Sequence, residues 1–465
     1  MSKTKRILFL NPPGEKIYIR DYYCSKVSKA YYLPQPVDLL IQSAFFNEPD
    51  YDILVMDCIA ENKTIVEALE KIKNFDPNYI IGLIGSVSLE EDRLFYRTIE
   101  DQNPKSIIAC SGDALLEKHK EKFQKYSWLD AIITNFFTNG FKQLIEGKDI
   151  IEGLVYKQGQ EVIVRDSKRS KPIEMPTPKQ QLFKGHYRMP FANALPMATI
   201  LTNYACPYPC TFCIMSTLPY VSRTADSIIE ELKELKANGY KFLYFSDQTF
   251  FQSKAITNKV LEWMVAENYG LNWMCFSRVD VLNEKELKLM KAAGCTLIMF
   301  GVEWAEDDLL IHYKKHYTTE QIKTTFALTK KLGIKRLGTF LIGVPGQSKA
   351  SILNTIAFAK EIKADYASFN VAVPRSNTSF RTEALTQGLI DDSLEVMDQS
   401  GNEVTIGTGT LSRDELQKLK NKAYRDFYFR PTYILKRLFN IKGWIEFKMH
   451  LTEGFYIFKG LFSKS

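Results

Sequence analysis

The chain has 465 residues, more than one ordinary core holds and enough for two or three domains. With 45% hydrophobic and 25% charged residues it reads as globular, which excludes disordered, collagen-like and coiled-coil classes. The net charge is +7, and residues 411–465 carry all of it, with 12 Lys and Arg against 5 Asp and Glu.

Residues 1–410 are thus neutral, whereas a nucleic-acid binder spreads basic charge along its main domain; no nucleic-acid partner is expected. No apolar run nears the roughly 18 residues of a membrane span. The start, MSKTKRILFLNPPG, has too short an apolar stretch for a secretory signal, so a cytoplasmic protein is expected.

In chain order, strands are predicted at 6–11 (RILFLN), 52–57 (DILVMD), 79–85 (YIIGLIG), 106–111 (SIIACS) and 130–135 (DAIITN). Helical patterns follow them near 36–47, 63–74, 88–102, 113–125 and 137–147. Short apolar strands alternating with helices indicate a parallel sheet buried on both faces, a doubly wound Rossmann-like or flavodoxin-like domain. Ligands of such sheets bind beyond the carboxyl ends of the strands. Residues 153–166 read as a hairpin turning at Gln158-Gly159, and 167–196, rich in Pro and Lys, as an extended connector.

A second array follows, with strands at 197–203, 241–246, 272–276, 296–302, 335–342 and 366–373. Asn283 with Glu286 forms a capping box, Gly294 and Gly333 are helix stops, and Thr318 or Thr319 and Ser348 start helices. Six βα units in this length fit a parallel barrel, complete or partial. From Tyr424 to Phe462, 12 of 39 residues are aromatic against 13% overall, which marks a distinct helical tail.

Eight Cys are present, and Cys24, Cys58, Cys110, Cys275 and Cys295 are scattered. The other three fall in CPYPCTFC as Cys206-x3-Cys210-x2-Cys213, directly after the first barrel strand. Barrel active sites are built at that end. Pro207 and Pro209 keep the segment out of a helix, so the loop can wrap around a ligand. A zinc knot is the alternative, but it wants four ligands, and no His or fourth Cys lies nearby in sequence. Three thiolates suit an iron–sulfur cube with one iron left open.

This spacing, with Phe212 before the last Cys, resembles the radical S-adenosylmethionine (radical SAM) superfamily. The resemblance continues through FSDQTF, RVDVLNEKELKLMKAAGC, FGVEWAEDDLLIHYKK and LIGVPGQS, one string after each successive strand. The N-terminal domain resembles the cobalamin-binding domain fused to many of these enzymes, and YFRPTYILKRLF resembles tails of that subgroup. The resemblance implies a 4Fe-4S cluster on Cys206, Cys210 and Cys213 and S-adenosylmethionine on the open iron, with Phe212 beside it. Ser246, Asp247 and Gln248 stand where the family holds the methionine amino group. Ser277 and Arg278 would reach the ribose or carboxylate, Glu303 the ribose or a neighbouring Arg, and Gly343, Val344 and Pro345 the adenine. No catalytic side chain is named by it.

For cobalamin, Gly85, Ser86 and Ser88 match the loop that contacts the nucleotide tail, and Ser111-Gly112 stands where the subgroup has Gly-Gly. The Asp-x-His-x-x-Gly motif that ligates cobalt is absent, and Asn135–Thr138 (NFFT) replaces the subgroup's Gly-Glu-x-Glu.

The expected architecture is therefore α/β. Residues 1–150 form a Rossmann-like, cobalamin-binding-like domain and 151–196 a hairpin and linker. Residues 197–400 form a partial (β/α)6 barrel and 401–465 a helical basic-aromatic region.

The expected activity is modification of an unactivated carbon, methyl transfer foremost and cyclisation or rearrangement as the alternative. Expected partners are a hydrophobic or amphiphilic small-molecule substrate and an electron donor such as flavodoxin or ferredoxin. Residues 431–462 interleave aromatic and basic side chains, which suits contact with an anionic membrane at its inner face. The same pattern also suits a terminal helix packed on the barrel.

Overall fold

The computed structural model describes residues 4–28, 31–148, 151–167, 171–394 and 404–439, and positions 447, 451, 452, 454 and 455. It divides into two compact units, one drawn mainly from residues before Arg188 and one from Arg188 onward.

The first unit holds one sheet of seven strands: β1 (Lys5–Asn11), β2 (Tyr51–Asp57), β3 (Tyr79–Leu83), β4 (Ile107–Ser111), β5 (Ala131–Ile133), β6 (Leu154–Gln158) and β7 (Glu161–Arg165). Their order is β2-β1-β3-β4-β5-β6-β7, parallel through β5 and antiparallel beyond it. The near-continuous apolar strands are buried on both faces, and Leu8, Leu10, Ile80, Ile108 and Ile132 meet Ile72 and Ile99 from the flanking helices. Thr64 and Glu67 close a capping box at the start of Ile65–Phe75, and left-handed Asp76 ends that helix. The chain leaves β1 for β2 on one side and returns to β3 on the other. That reversal puts the ligand-binding switch point between the carboxyl ends of β1 and β3.

The hairpin forms with its turn at Gly159, whose φ is +63°. The expected hairpin continues this sheet as two antiparallel strands. Leu154, Val155 and Tyr156 pair with β5 and are buried, so burial rather than turn chemistry decides where the strand docks.

The second unit carries β8 (Met197–Ile200), β9 (Phe242–Phe245), β10 (Asn272–Ser277), β11 (Cys295–Glu303), β12 (Lys335–Ile342) and β13 (Tyr366–Val371). They lie in chain order, each parallel to the next, and the six form an open parallel array, a partial barrel. Helices between them start on the expected caps: Asn283 with Glu286, Thr318 with Gln321, and Ser348. The core gathers Leu243, Trp273, Ile298, Phe300, Phe340 and Phe369.

One boundary differs from the expected tail. Helix Arg413–Tyr428, capped by Ser412 and Glu415, sends Leu416, Leu419, Ala423 and Phe427 into the barrel core. It is part of the barrel's packing. In the next helix, Pro431–Phe439, Tyr433 donates to the Asp365 carbonyl at 3.0 Å, and Arg437 lies 4.2 Å from the centre of the Tyr366 ring. One helical turn thus docks these two residues while Ile434, Leu435 and Phe439 stay exposed. Of the expected membrane-contact segment, residues 440–462 lie outside the described residues except at 447, 451, 452, 454 and 455. No helix among the described residues is long and apolar enough to cross a membrane.

Candidate active site

The cysteine loop starts where β8 ends. Asn203 and Tyr204 pair with Ser222 and Val221 in a two-residue ladder, and left-handed Ala205 (φ +61°) turns the chain into Cys206. The loop is then pinned by main-chain bonds. Thr211 N donates to the Tyr313 carbonyl at 3.3 Å, and Phe380 N donates to the Thr211 carbonyl at 3.1 Å. Ser216 Oγ donates to the Cys210 and Cys213 carbonyls at 3.1 and 2.8 Å. Phe212 packs edge-on against Trp304 and Tyr313, which stack on each other.

Cys210 is buried, and Cys206 and Cys213 are half-buried. Burial, then the neighbouring Cys210 and, more weakly, Cys206, push the Cys213 thiol up to about 12. Cys213 thus feels the charge of both other sulfurs. Bound cationic iron would reverse that push, because a coordinating thiol is deprotonated by the metal. Among the described residues, no three His, Cys, Asp or Glu side chains gather as the ligands of one metal ion would. Three thiols on one loop, with no fourth protein ligand beside them in sequence, are the donor set that a 4Fe-4S cluster with one open iron takes, and the residues present fit it.

Two buried cations stand beside the thiols. Arg278, just after β10, makes a two-pronged pair with Asp280 at 2.9 and 2.8 Å. Its Nη1 donates to Cys210 Sγ at 3.5 Å, and its guanidinium lies 3.7 Å from the centre of the Tyr208 ring. Lys315 pairs with Glu303 at 3.0 Å, and its ammonium is 5.6 Å from the Phe212 ring centre. Burial alone would lower the Lys315 pKa, but Tyr317, Glu303 and Cys210 more than offset it and hold it above its ordinary value. Lys315, Tyr317, Tyr208 and Asp280 were not among the residues singled out from sequence. Nothing in hydrophobic periodicity marks a lysine inside HYKKHY as buried.

The other expected contacts divide. Asp247 is fully buried, and its carboxylate accepts from Thr202 N, Thr202 Oγ1 and Asn203 N, at 2.7, 2.8 and 3.1 Å. It braces the cysteine loop. Ser246 bonds the Ile200 carbonyl through N and Oγ, while Gln248 is exposed. Ser277 Oγ donates to the Phe250 carbonyl. Left-handed Gly343 has its N–H on Gln347 and faces Leu416, with Val344 and Pro345 buried beside it.

In the first unit, Gly85, Ser86, Ser88, Ser111 and Gly112 sit together at the carboxyl ends of β3 and β4, all buried. Four of their polar groups bond to buried carboxylates: Gly85 N and Ser88 Oγ to Asp92, Ser86 N to Asp113, and Ser111 Oγ to Asp38. Asp38 Oδ1, buried beside Ser111, lacks a partner. At the switch point, Arg20 bonds Asn11 and the Pro12 and Pro13 carbonyls on one side and Ser88 and Asp92 on the other. A Cβ on Gly112 would stand 1.7 Å from the Ile84 carbonyl oxygen.

Residues 200–359, which hold the cysteine loop and both cations, match the model of the Radical SAM superfamily. The segment that carries the cysteine loop is a radical SAM domain. An uncharacterized methyltransferase of Pyrococcus horikoshii is 27% identical over 461 residues, spanning 95% of this chain and 96% of the relative. The radical SAM methyltransferase TsrM of Kitasatospora setae, solved with tryptophan and a SAM analogue, superposes with a TM-score of 0.65 at 16% identity. That match takes in 83% of this chain and 76% of TsrM. The cobalamin-dependent radical SAM enzyme OxsB superposes with a TM-score of 0.66 at 16% identity, over 98% of this chain and 72% of OxsB. The expected pairing of a Rossmann-like domain with a partial barrel is thus the fold these radical SAM enzymes share. The 4Fe-4S cluster and S-adenosylmethionine belong to the domain, and cobalamin is bound in solved structures of this fold.

Proposed function

We propose that this enzyme is a cobalamin-dependent C-methyltransferase acting on an unactivated carbon of a hydrophobic or amphiphilic small molecule. The observation that carries the reading is Cys206, Cys210 and Cys213 set at the end of β8, braced by Asp247 and flanked by Arg278 and Lys315. The likeness over nearly the whole chain to a methyltransferase supports methyl transfer over ring formation.

When bound, the cluster with S-adenosylmethionine supplies one-electron cleavage of a carbon–sulfur bond and, through it, hydrogen abstraction. The chain's own residues supply position and dryness. Cys206, Cys210 and Cys213 would hold three irons and leave one open. Asp247 fixes the start of the loop through the backbone of Thr202 and Asn203. Trp304, Tyr313 and Phe212 pack together against the loop and give it an apolar surround. Ser246, Gln248 and Glu303 are the polar groups proposed for S-adenosylmethionine, with the backbone of Gly343–Pro345 for its adenine. Ser277 is proposed only as a support, since its hydroxyl is engaged.

Cobalamin rests on the shared fold, with the loops at 85–88 and 111–112 as its proposed contacts. An anaerobic reconstitution with hydroxocobalamin, followed by desalting, tests it. About one corrinoid per chain, with an absorption spectrum free of histidine ligation, is expected. Protein that cleaves S-adenosylmethionine yet retains no corrinoid would overturn the cobalamin assignment.

The proposed substrate class rests on the exposed apolar face of Pro431–Phe439 and the basic excess of its segment. A peripheral contact with anionic lipid would deliver such a substrate, and a low-potential flavodoxin or ferredoxin would deliver the electron.

A further inference from the structure

We propose that Arg278 and Lys315 are charge partners of the cluster-binding thiolates and set the potential at which the cluster accepts its electron. This rests on the reading of Cys206, Cys210 and Cys213 as its ligands.

Arg278 is held on every side. Asp280 takes Nε and Nη2, the Lys315 carbonyl takes Nη2 as well, and the Tyr208 ring lies against the guanidinium. What remains is Nη1, and it is aimed at Cys210 Sγ, 3.5 Å away. Tyr208 belongs to the cysteine loop itself, two residues before Cys210, so loop and guanidinium are fixed together. An arginine meant for a mobile substrate carboxylate would not have its donors so fully engaged.

Lys315 is brought in at a backbone cost. Lys314 and His316, on either side of it, both adopt left-handed conformations, with φ of +54° and +57°. Non-glycine residues seldom do so, and they persist there only where the surroundings over-determine them. The result is an ammonium only 6% exposed by residue, over the ring of Phe212, which directly precedes Cys213. Gly301 makes the room. A Cβ there would stand 2.8 Å from Glu303 Oε1 and 3.3 Å from Lys315 Nζ.

The electrostatic consequence has a definite sign. Reduction adds one electron, hence one negative charge, to a cluster already bearing thiolates; no bond is made or broken in that step. The donor is a one-electron reductant, dithionite in an assay. Buried positive charge and N–H donors to sulfur favour the more negative state and raise the potential. Burial keeps solvent and salt from screening the effect. Asp280 and Glu303 offset part of it, so removing a cation also uncovers a carboxylate and drives the potential the same way.

The test compares full-length wild type with Arg278→Gln, Arg278→Lys, Lys315→Met and Asp280→Asn. Each is reconstituted anaerobically, assayed for iron, and titrated by electron paramagnetic resonance against dithionite-poised mediators. With iron content unchanged, Arg278→Gln and Lys315→Met should each lower the reduced-to-oxidised ratio at fixed potential about tenfold. That corresponds to about 59 mV for one electron. Arg278→Lys, which keeps the charge, should stay near wild type. Wild-type potentials in iron-loaded Arg278→Gln and Lys315→Met would overturn the proposal. Should those two variants fail to hold iron, Asp280→Asn decides: a shift to higher potential sustains the proposal, and no shift overturns it. Wild type that takes up no iron would instead overturn the cluster reading beneath it.

Discussion

The Lys315 ammonium meets the Glu303 carboxylate at 3.0 Å, and Glu303 reaches it from a left-handed residue just past a bulge in the β11–β12 pairing. The bulge re-aims the last side chain of the strand from the sheet into the site. Both side chains are largely buried, at 7% and 12% exposure, so each depends on the other for its charge to be tolerated there.

Glu303→Ala should therefore destabilise the folded chain by about 3–5 kcal/mol, because it strands a buried ammonium. Glu361→Ala, which breaks an exposed pair with Lys323, should leave stability close to wild type, because solvent screens that pair. Urea unfolding of both variants checks the contrast, and equal losses would mean the Glu303 pair is not held as described.

The Arg20–Asp92 pair in the first unit is fully buried at both ends. Arg20→Ala should cost about 3–5 kcal/mol, and Arg20→Met with Asp92→Leu should recover much of it, since no unpaired charge remains. Thermal melts of the single and double variants measure this. A double variant as unstable as the single one would show that the bonds to Asn11, Pro12 and Pro13 matter more than the charge.

Burial first, against the bonds from Thr202 and Asn203, raises the Asp247 carboxyl to about 7 from 3.8. The folded state then holds a proton that the unfolded state has lost between these values. Stability contributed by this group is present below about pH 4 and is lost as pH rises through about 7. Asp247→Asn keeps an acceptor for both backbone N–H groups and does not titrate. Its melting temperature relative to wild type should climb between pH 5 and pH 8. A constant difference across that range contradicts the shift.

Full-length protein should float with anionic liposomes at low salt, and added salt should weaken it. A chain ending at Arg430 should stay at the bottom. Flotation of neither would leave Tyr433 and Arg437 docked on the barrel as the tail's whole role, and would remove the support for a lipid-like substrate.

Much of this was legible in the sequence. The parallel strands announce themselves as short apolar runs, the caps at Asn283 and Ser348 fall where the side chains require, and the cysteine spacing carries the chemistry. Other features arise only when distant segments meet. Asp247 looks like a ligand in FSDQTF but is claimed by Thr202 and Asn203 from the neighbouring strand's end. The hairpin at 153–166 is legible from its turn, but its docking on β5 is not, because that strand lies more than twenty residues earlier. Helix Arg413–Tyr428 looks like a basic tail because its apolar stripe, Leu416, Leu419, Ala423 and Phe427, is thin among charged neighbours. Lys315 is buried by its backbone and its partners, which no local pattern records.

Cys206, Cys210 and Cys213 are the proposed ligands of the cluster on which the chemistry depends. Anaerobically reconstituted wild type should be brown, hold about four irons per chain and cleave S-adenosylmethionine when given dithionite. The variant with all three replaced by Ala should lose both the colour and the cleavage, while Cys24→Ala and Cys58→Ala keep both. Retention of the iron chromophore in the triple variant would contradict the account.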